Sequence, residues 1–91
     1  MPIKHDAASQ EFTTTRHGHK AELAYTQPAP GLLDFTHTFV AEELRGQGVG
    51  DELARAGLAY ARQKGLKVKT SCSFMAAFVQ RHQADYQDVQ A

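Results

Sequence analysis

The chain has one cysteine, Cys72, among its 91 residues, which excludes an internal disulfide framework and a multi-cysteine zinc site. Stability must come from packing. An excess of charge is also missing: ten Lys and Arg balance ten Asp and Glu, so no net positive field draws the protein onto nucleic acid or an anionic membrane. The longest apolar run, Phe74 to Val79, is far short of a bilayer span, and the opening MPIKHDAASQEF has no signal-peptide core. These absences predict a cytoplasmic protein with neither a nucleic-acid nor a membrane partner. His5, His17, His19, His37 and His82 form no HxxxH pair and lie at no zinc-finger spacing, so no metal site is expected.

What is present suits one globular domain spanning residues 1–91, because a chain this short encloses a single modest core. Residues 1–9 are polar and aperiodic and read as a loose lead-in. Gln10 to His17 is rich in threonine, and Lys20 to Gln27 alternates Ala21, Leu23 and Tyr25 with polar residues; both read as strands, joined as a hairpin through Gly18. Pro28 to Gly31 then break the chain. Leu32 to Val40 (LLDFTHTFV) reads as a third strand with Leu33, Phe35, His37 and Phe39 on one face.

After that strand, Arg45 to Gly50 (RGQGVG) places glycine at every second position, which permits unusual backbone angles and close approach by a ligand. An amphipathic helix follows from Val49 to Lys64, with Val49, Leu53, Ala56, Tyr60 and Ala61 at its inward spacing, an acidic first turn, a basic last turn and Gly65 as its cap. Lys67 to Cys72 reads as a strand, Phe74 to His82 as a helix, and Gln83 to Val89 as a polar tail with helical turns. The order β-β-β-α-β-α defines an α/β (α+β) fold in which the first helix is the crossover of a parallel strand pair. Ligands in such sheets gather at the carboxyl ends of the strands, here Val40 and Cys72.

A helix N-terminus carries unpaired N–H groups and partial positive charge, so phosphate oxygens bind there readily, and Arg45 adds a forked cationic donor. The run is neither a P-loop, which needs GxxxxGK[ST], nor a dinucleotide fingerprint, since Asp51 falls where the last glycine of GxGxxG belongs. A flexible loop before a well-capped helix is the plain alternative.

The run does satisfy [QR]xxGx[GA], with Arg45, Gly48 and Gly50 at its three defined places. Together with FTHTFV before ELRGQGVGDEL, and CSFMAAFVQRH followed by Tyr86, it makes the chain resemble the minimal GCN5-like branch of the GNAT superfamily over about Glu11 to Val89. The resemblance implies a mostly antiparallel mixed sheet whose third and fourth strands splay apart as a parallel pair to admit acetyl-CoA. It implies that backbone groups of Phe39, Val40 and Ala41 meet the acetyl and pantetheine arm, while Arg45, Gly46, Gln47, Gly48, Val49 and Gly50 hold the pyrophosphate. Phe35, Tyr60, Phe74 and Phe78 read first as core; Phe78, with Cys72, is the one expected to border the pantetheine channel. The function implied is acetyl transfer to an amine acceptor, either a small molecule or a protein lysine, by a monomer or weak dimer.

Two residues are candidates for the chemistry. Cys72, at the end of the fourth strand, is placed to donate a proton or accept the acyl group, although a lone cysteine is often just a small buried hydrophobe. His37 has a suitable pKa for a base, against the plain reading of a half-buried strand residue. Val79 stands where larger relatives place a general-acid tyrosine, which keeps open a second reading, a module that binds CoA without transferring the group. Glu42 and Glu43 would make the acceptor end acidic, or are simply a solvated loop.

Overall fold

The computed structural model describes residues 3–91; Met1 and Pro2 lie outside the described residues. Strands β1 (Lys4–Asp6), β2 (Glu11–Arg16), β3 (His19–Ala29), β4 (Leu32–Val40) and β5 (Lys67–Thr70) form one sheet in that spatial order. The first four pair antiparallel and β4 pairs with β5 in parallel. A 3-10 turn (Glu42–Leu44) and helix α1 (Val49–Gln63) make the crossover from β4 to β5; helices α2 (Ser73–Arg81) and α3 (Gln83–Tyr86) follow. The chain is therefore a mixed, mostly antiparallel sheet with one parallel pair, as the sequence predicts.

The expected lead-in is a correction, because Lys4 to Asp6 pair with Glu11 to Thr13 as a strand. Its anchor is His5, whose ring stacks on Phe12 at 4.3 Å, meets the edge of Tyr60 at 4.4 Å and hydrogen-bonds the Tyr25 hydroxyl at 2.5 Å. A three-residue strand with one inward side chain leaves no apolar period to read. Strand β3 also runs two residues past its expected end, through Pro28, where Gln27 and Pro28 together oppose Leu33 in a local register shift. Proline is tolerated at such irregularities because no ladder donor is needed there.

Alternation along β2 and β3 buries Phe12, Thr14, Ala21, Leu23 and Tyr25 on one face, the face on which α1 packs. Helix α1 sends Val49, Leu53, Ala54, Gly57, Leu58 and Ala61 inward. Ala56 and Tyr60, expected at its centre, are only half-buried, so the helix is rotated toward Gly57. The reason is steric: a Cβ at Gly57 would lie 2.9 Å from the Phe35 ring and 3.0 Å from Leu23. Helix α2 lies beside α1 on the same face and adds Met75, Phe78 and Val79 to a single core. The opposite face of the sheet carries Glu11, Thr13, Glu22 and Ala24, and no helix among the described residues covers it. One wet and one buried face is the usual condition of antiparallel strands.

The C-terminal segment closes the far edge. Val68 of β5 donates to the Val89 carbonyl at 2.6 Å and accepts from Ala91 at 2.9 Å. Arg62 at the end of α1 grips both Asp88 oxygens, at 2.9 and 2.8 Å.

Candidate functional site

The site begins with one extra residue. Tyr25 opposes Phe35 and Ala24 opposes His37, so Thr36 has no register partner on β3 and forms a bulge. A bulge shifts the side-chain phase by one residue. Leu33 and Phe35 are buried, but beyond the bulge Thr38 and Val40 are half-buried while His37 and Phe39 are exposed. His37 therefore does not share a face with Leu33 and Phe35; it points to the open side of the sheet. Phe39 follows it and is 45% exposed.

On its other edge β4 is paired with β5 only from Leu32 to Phe35, opposite Lys67 to Thr70. From Thr36 to Val40 that edge has no strand beside it in the described residues, because β5 ends at Thr70 and the chain turns into α2. Strand β4 thus outruns β5, which leaves a gap in the sheet, the cleft, between the end of β4 and the first turn of α2. Cys72, the N-cap residue of α2 rather than a strand residue, stands inside it. Its amide donates to the Phe35 carbonyl at 2.9 Å, and its sulfur lies 3.3 Å from the Thr38 hydroxyl. At the apex, Asp34 accepts hydrogen bonds from the Ser71 amide and hydroxyl at 3.0 and 2.7 Å.

The free edge of β4 leads into the glycine run. Gly46 and Gly48 adopt φ of 82° and 76°, a left-handed conformation that side chains resist. Nothing lies within 4 Å of a Cβ built on either, so backbone conformation, not packing, explains both. Gly50 differs: it is helical, and its missing side chain makes room for the Phe74 ring, 2.9 Å from where a Cβ would be. Helix α1 starts with Gly48 as N-cap and no side-chain cap, and the amides of Val49, Gly50 and Asp51 precede the bond from Glu52 to the Gly48 carbonyl at 3.0 Å. Val49 and Gly50 are buried, whereas Arg45 to Gly48 are exposed.

Arg45 donates Nε–H to the Val40 carbonyl at 3.2 Å, so its side chain bridges the strand end and the loop. The two carboxylates in the first turn of α1 would oppose an anion, but both face arginines. Arg16 holds Glu52 through two bonds at 2.9 and 2.6 Å, and that hydrogen bonding lowers the Glu52 pKa from its ordinary value. Asp51 lies 3.8 Å from Arg81. Gln47 ties the loop back by donating to the Glu43 carbonyl at 2.9 Å.

Of the residues singled out from sequence, Phe39, Val40, Ala41, Arg45 to Gly50 and Cys72 border the open end of β4 or the start of α1. Phe78 does not. It is 0% exposed, packed among Met75, Val79 and Tyr86 with Arg55 and Arg81 over its ring, so it has no surface for a channel. Val79 and Tyr86 are core residues too. Thr38, Asp34 and Ser71 escaped the sequence reading because uninterrupted alternation puts Thr38 on the wrong face. The only trace is the stretch Thr36-His37-Thr38, without an apolar residue between Phe35 and Phe39. A groove of about 430 Å³ lies elsewhere, beyond β5, floored by Leu58, Val68, Val79 and Val89; it includes no residue of the glycine run.

Fold and site together define an α/β domain in which an open sheet edge is followed by a glycine run and a helix N-terminus without a side-chain cap. Residues 11–89 match the family model of the GCN5-related N-acetyl-transferases, and the chain belongs to this family, whose members catalyse acetyl transfer. Among curated relatives, Protein NATD1 of Gallus gallus is 28% identical over 84 residues, covering 90% of this chain and 76% of the relative. Protein NATD1 of Homo sapiens is 28% identical over 82 residues, covering 88% and 73%. An NMR structure of a GCN5-like protein from Staphylococcus aureus superposes with a TM-score of 0.76 at 34% identity, covering 99% of this chain and 87% of that one. An IAA acetyltransferase from Bacillus cereus, at 22% identity and TM-score 0.57 over 79% of this chain and 52% of its own, shares the fold.

Proposed function

We propose that this protein binds acetyl-CoA along the free edge of β4 and transfers the acetyl group to an exposed amine, with a protein lysine as the acceptor class. The observation that carries this reading is the outer edge of β4 left unpaired from Thr36 to Val40 and followed, through a 3-10 turn and the glycine run, by an uncapped helix N-terminus. The donor set fits the cofactor. The amides of the first turn of α1, the open left-handed glycines and the Arg45 guanidinium suit a pyrophosphate, and the outer edge of β4 up to Val40, which no strand pairs, suits the amides of a pantetheine arm.

Acetyl-CoA would supply the activated acetyl group; the chain's own residues do the rest. Backbone groups of β4 orient the carbonyl, and a strand-edge N–H stabilises charge developing on its oxygen. The amine nitrogen bonds to the carbonyl carbon as the carbon–sulfur bond breaks, and the proton released by the amine passes to solvent. Cys72, whose sulfur is within hydrogen-bond distance of Thr38 beside the open edge, is the candidate to protonate the departing sulfur. His37, turned to the open face by the bulge, is on the side from which an acceptor can approach, and Glu42 and Glu43 make the strand end acidic toward a cationic amine. A domain with a single small core leaves little surface to enclose a small acceptor, which favours an amine carried by a larger partner.

Calorimetric titration with acetyl-CoA tests the cofactor: saturable binding that is lost in Arg45→Ala, Gly48→Val supports it, and a folded natural protein that does not bind sinks it. Thiol release with lysine peptides and a polyamine then tests transfer. A second reading, CoA binding without transfer, is favoured by the buried Val79 in place of a general-acid tyrosine. Binding without thiol release for any amine selects it.

A further inference from the structure

The ladder between β4 and β5 does not stop where its backbone pairing stops. Phe35 opposite Thr70 is the last register pair, yet the next two residues of the β5 side are still gripped by β4. Ser71 is held through its amide and its hydroxyl by one carboxylate, Asp34, at 3.0 and 2.7 Å. Cys72 is held through its amide by the Phe35 carbonyl at 2.9 Å. The grip therefore lies opposite the bulge at Thr36, where β4 changes phase and leaves its neighbour.

We propose that Asp34 is a positioning residue for the thioester end of the cleft, acting through Ser71; this inference rests on the acetyl-CoA reading above. A side chain that accepts two hydrogen bonds from one residue fixes both its position and its orientation, and bonds to a carboxylate are stronger than neutral ones. Holding Ser71 sets the direction in which the chain enters α2. That direction determines where the Cys72 sulfur stands against Thr38, and how wide the slot is beside Thr38 to Val40. Asp34 lies on the open face of the sheet, away from the core and from the glycine run. Its removal is therefore expected to spare both the fold and the pyrophosphate end.

The test compares the natural protein with Asp34→Ala, Asp34→Asn and Ser71→Ala. Each is titrated with acetyl-CoA and with 3′-phosphoadenosine 5′-diphosphate, which carries the pyrophosphate end without the arm. Asp34→Ala is expected to weaken acetyl-CoA binding about ten- to hundredfold, the range for a lost bond to a charged group, with affinity for the nucleotide unchanged. Ser71→Ala, which keeps the amide bond, and Asp34→Asn, which keeps one acceptor, are expected to lose less. An equal loss for both ligands, or no loss for either, overturns the proposal. If the natural protein binds neither ligand, the cofactor reading fails, and the grip is judged in the free protein. Amide shifts of Thr38 and Cys72 that move in Asp34→Ala then support it, and unmoved shifts overturn it.

Discussion

Two glycines of α1 illustrate how a missing side chain has different meanings at two positions. At Gly57 an added Cβ would meet the fully buried Phe35 and Leu23, at 2.9 and 3.0 Å, neither of which can give way. At Gly50 it would meet only the tip of the half-buried Phe74 ring. Gly57→Ala should therefore cost about 1–3 kcal/mol from overpacking, less up to ~1 kcal/mol gained in helix propensity, whereas Gly50→Ala should be close to neutral; urea denaturation of the two variants measures the contrast. His5 gives a pH dependence at the same scale. Burial, opposed by Asp6 and aided by Lys64, holds its pKa below the ordinary 6.5, so the unfolded chain binds the proton more readily. The stability that His5 confers is accordingly complete above about pH 6.5 and is lost as pH falls through the lower folded value. Melting temperatures of the natural protein should fall more steeply through that window than those of His5→Gln.

Among the elements, β4 does two jobs in nine residues. Its first half is locked between β3 and β5, while the second half is paired on one side only. Amide exchange should report this division: Leu33 and Phe35 are expected to be among the most protected positions, and the open-edge amides between Thr36 and Val40 to exchange faster until acetyl-CoA is added, when they should slow. Unchanged exchange at saturating ligand would place the arm elsewhere. The same strand marks the limit of what the sequence reveals. Ala21, Leu23 and Tyr25 alternate strictly and their burial is legible, and so are the glycine run and the crossover helix, because each has a local chemical signature. The bulge at Thr36 has none. It depends on β3 opposing β4 with one residue too few, a relation between strands that no single segment records, and so the faces of His37 and Thr38 were inverted. Strand β1 was hidden for a related reason, since its inward contact is a histidine among aromatics from three other elements. The rotation of α1 toward Gly57 was missed because a glycine adds nothing to an apolar stripe.

For the molecule as a whole, the helices occupy one face of the sheet and leave the other wet. A 91-residue chain with one core has little stability in reserve, so a ligand that spans β4, α1 and α2 should contribute measurably to holding them together. At a concentration one hundred times its Kd, acetyl-CoA should add about 2.7 kcal/mol, visible as a higher melting temperature in the natural protein and absent in Arg45→Ala, Gly48→Val. No helix among the described residues is long and apolar enough to cross a membrane.

The order of the strands in the sheet is also their order along the chain, and this bears on how the protein assembles. Strands β1 to β4 form a meander of neighbours that short turns bring together quickly, while β5 must wait for the whole of α1 before it can pair with β4 in parallel. Loop closure of that length is the slow, non-local event of folding. The open edge of β4 thus begins where the strand pair with the longest chain separation in the sheet ends.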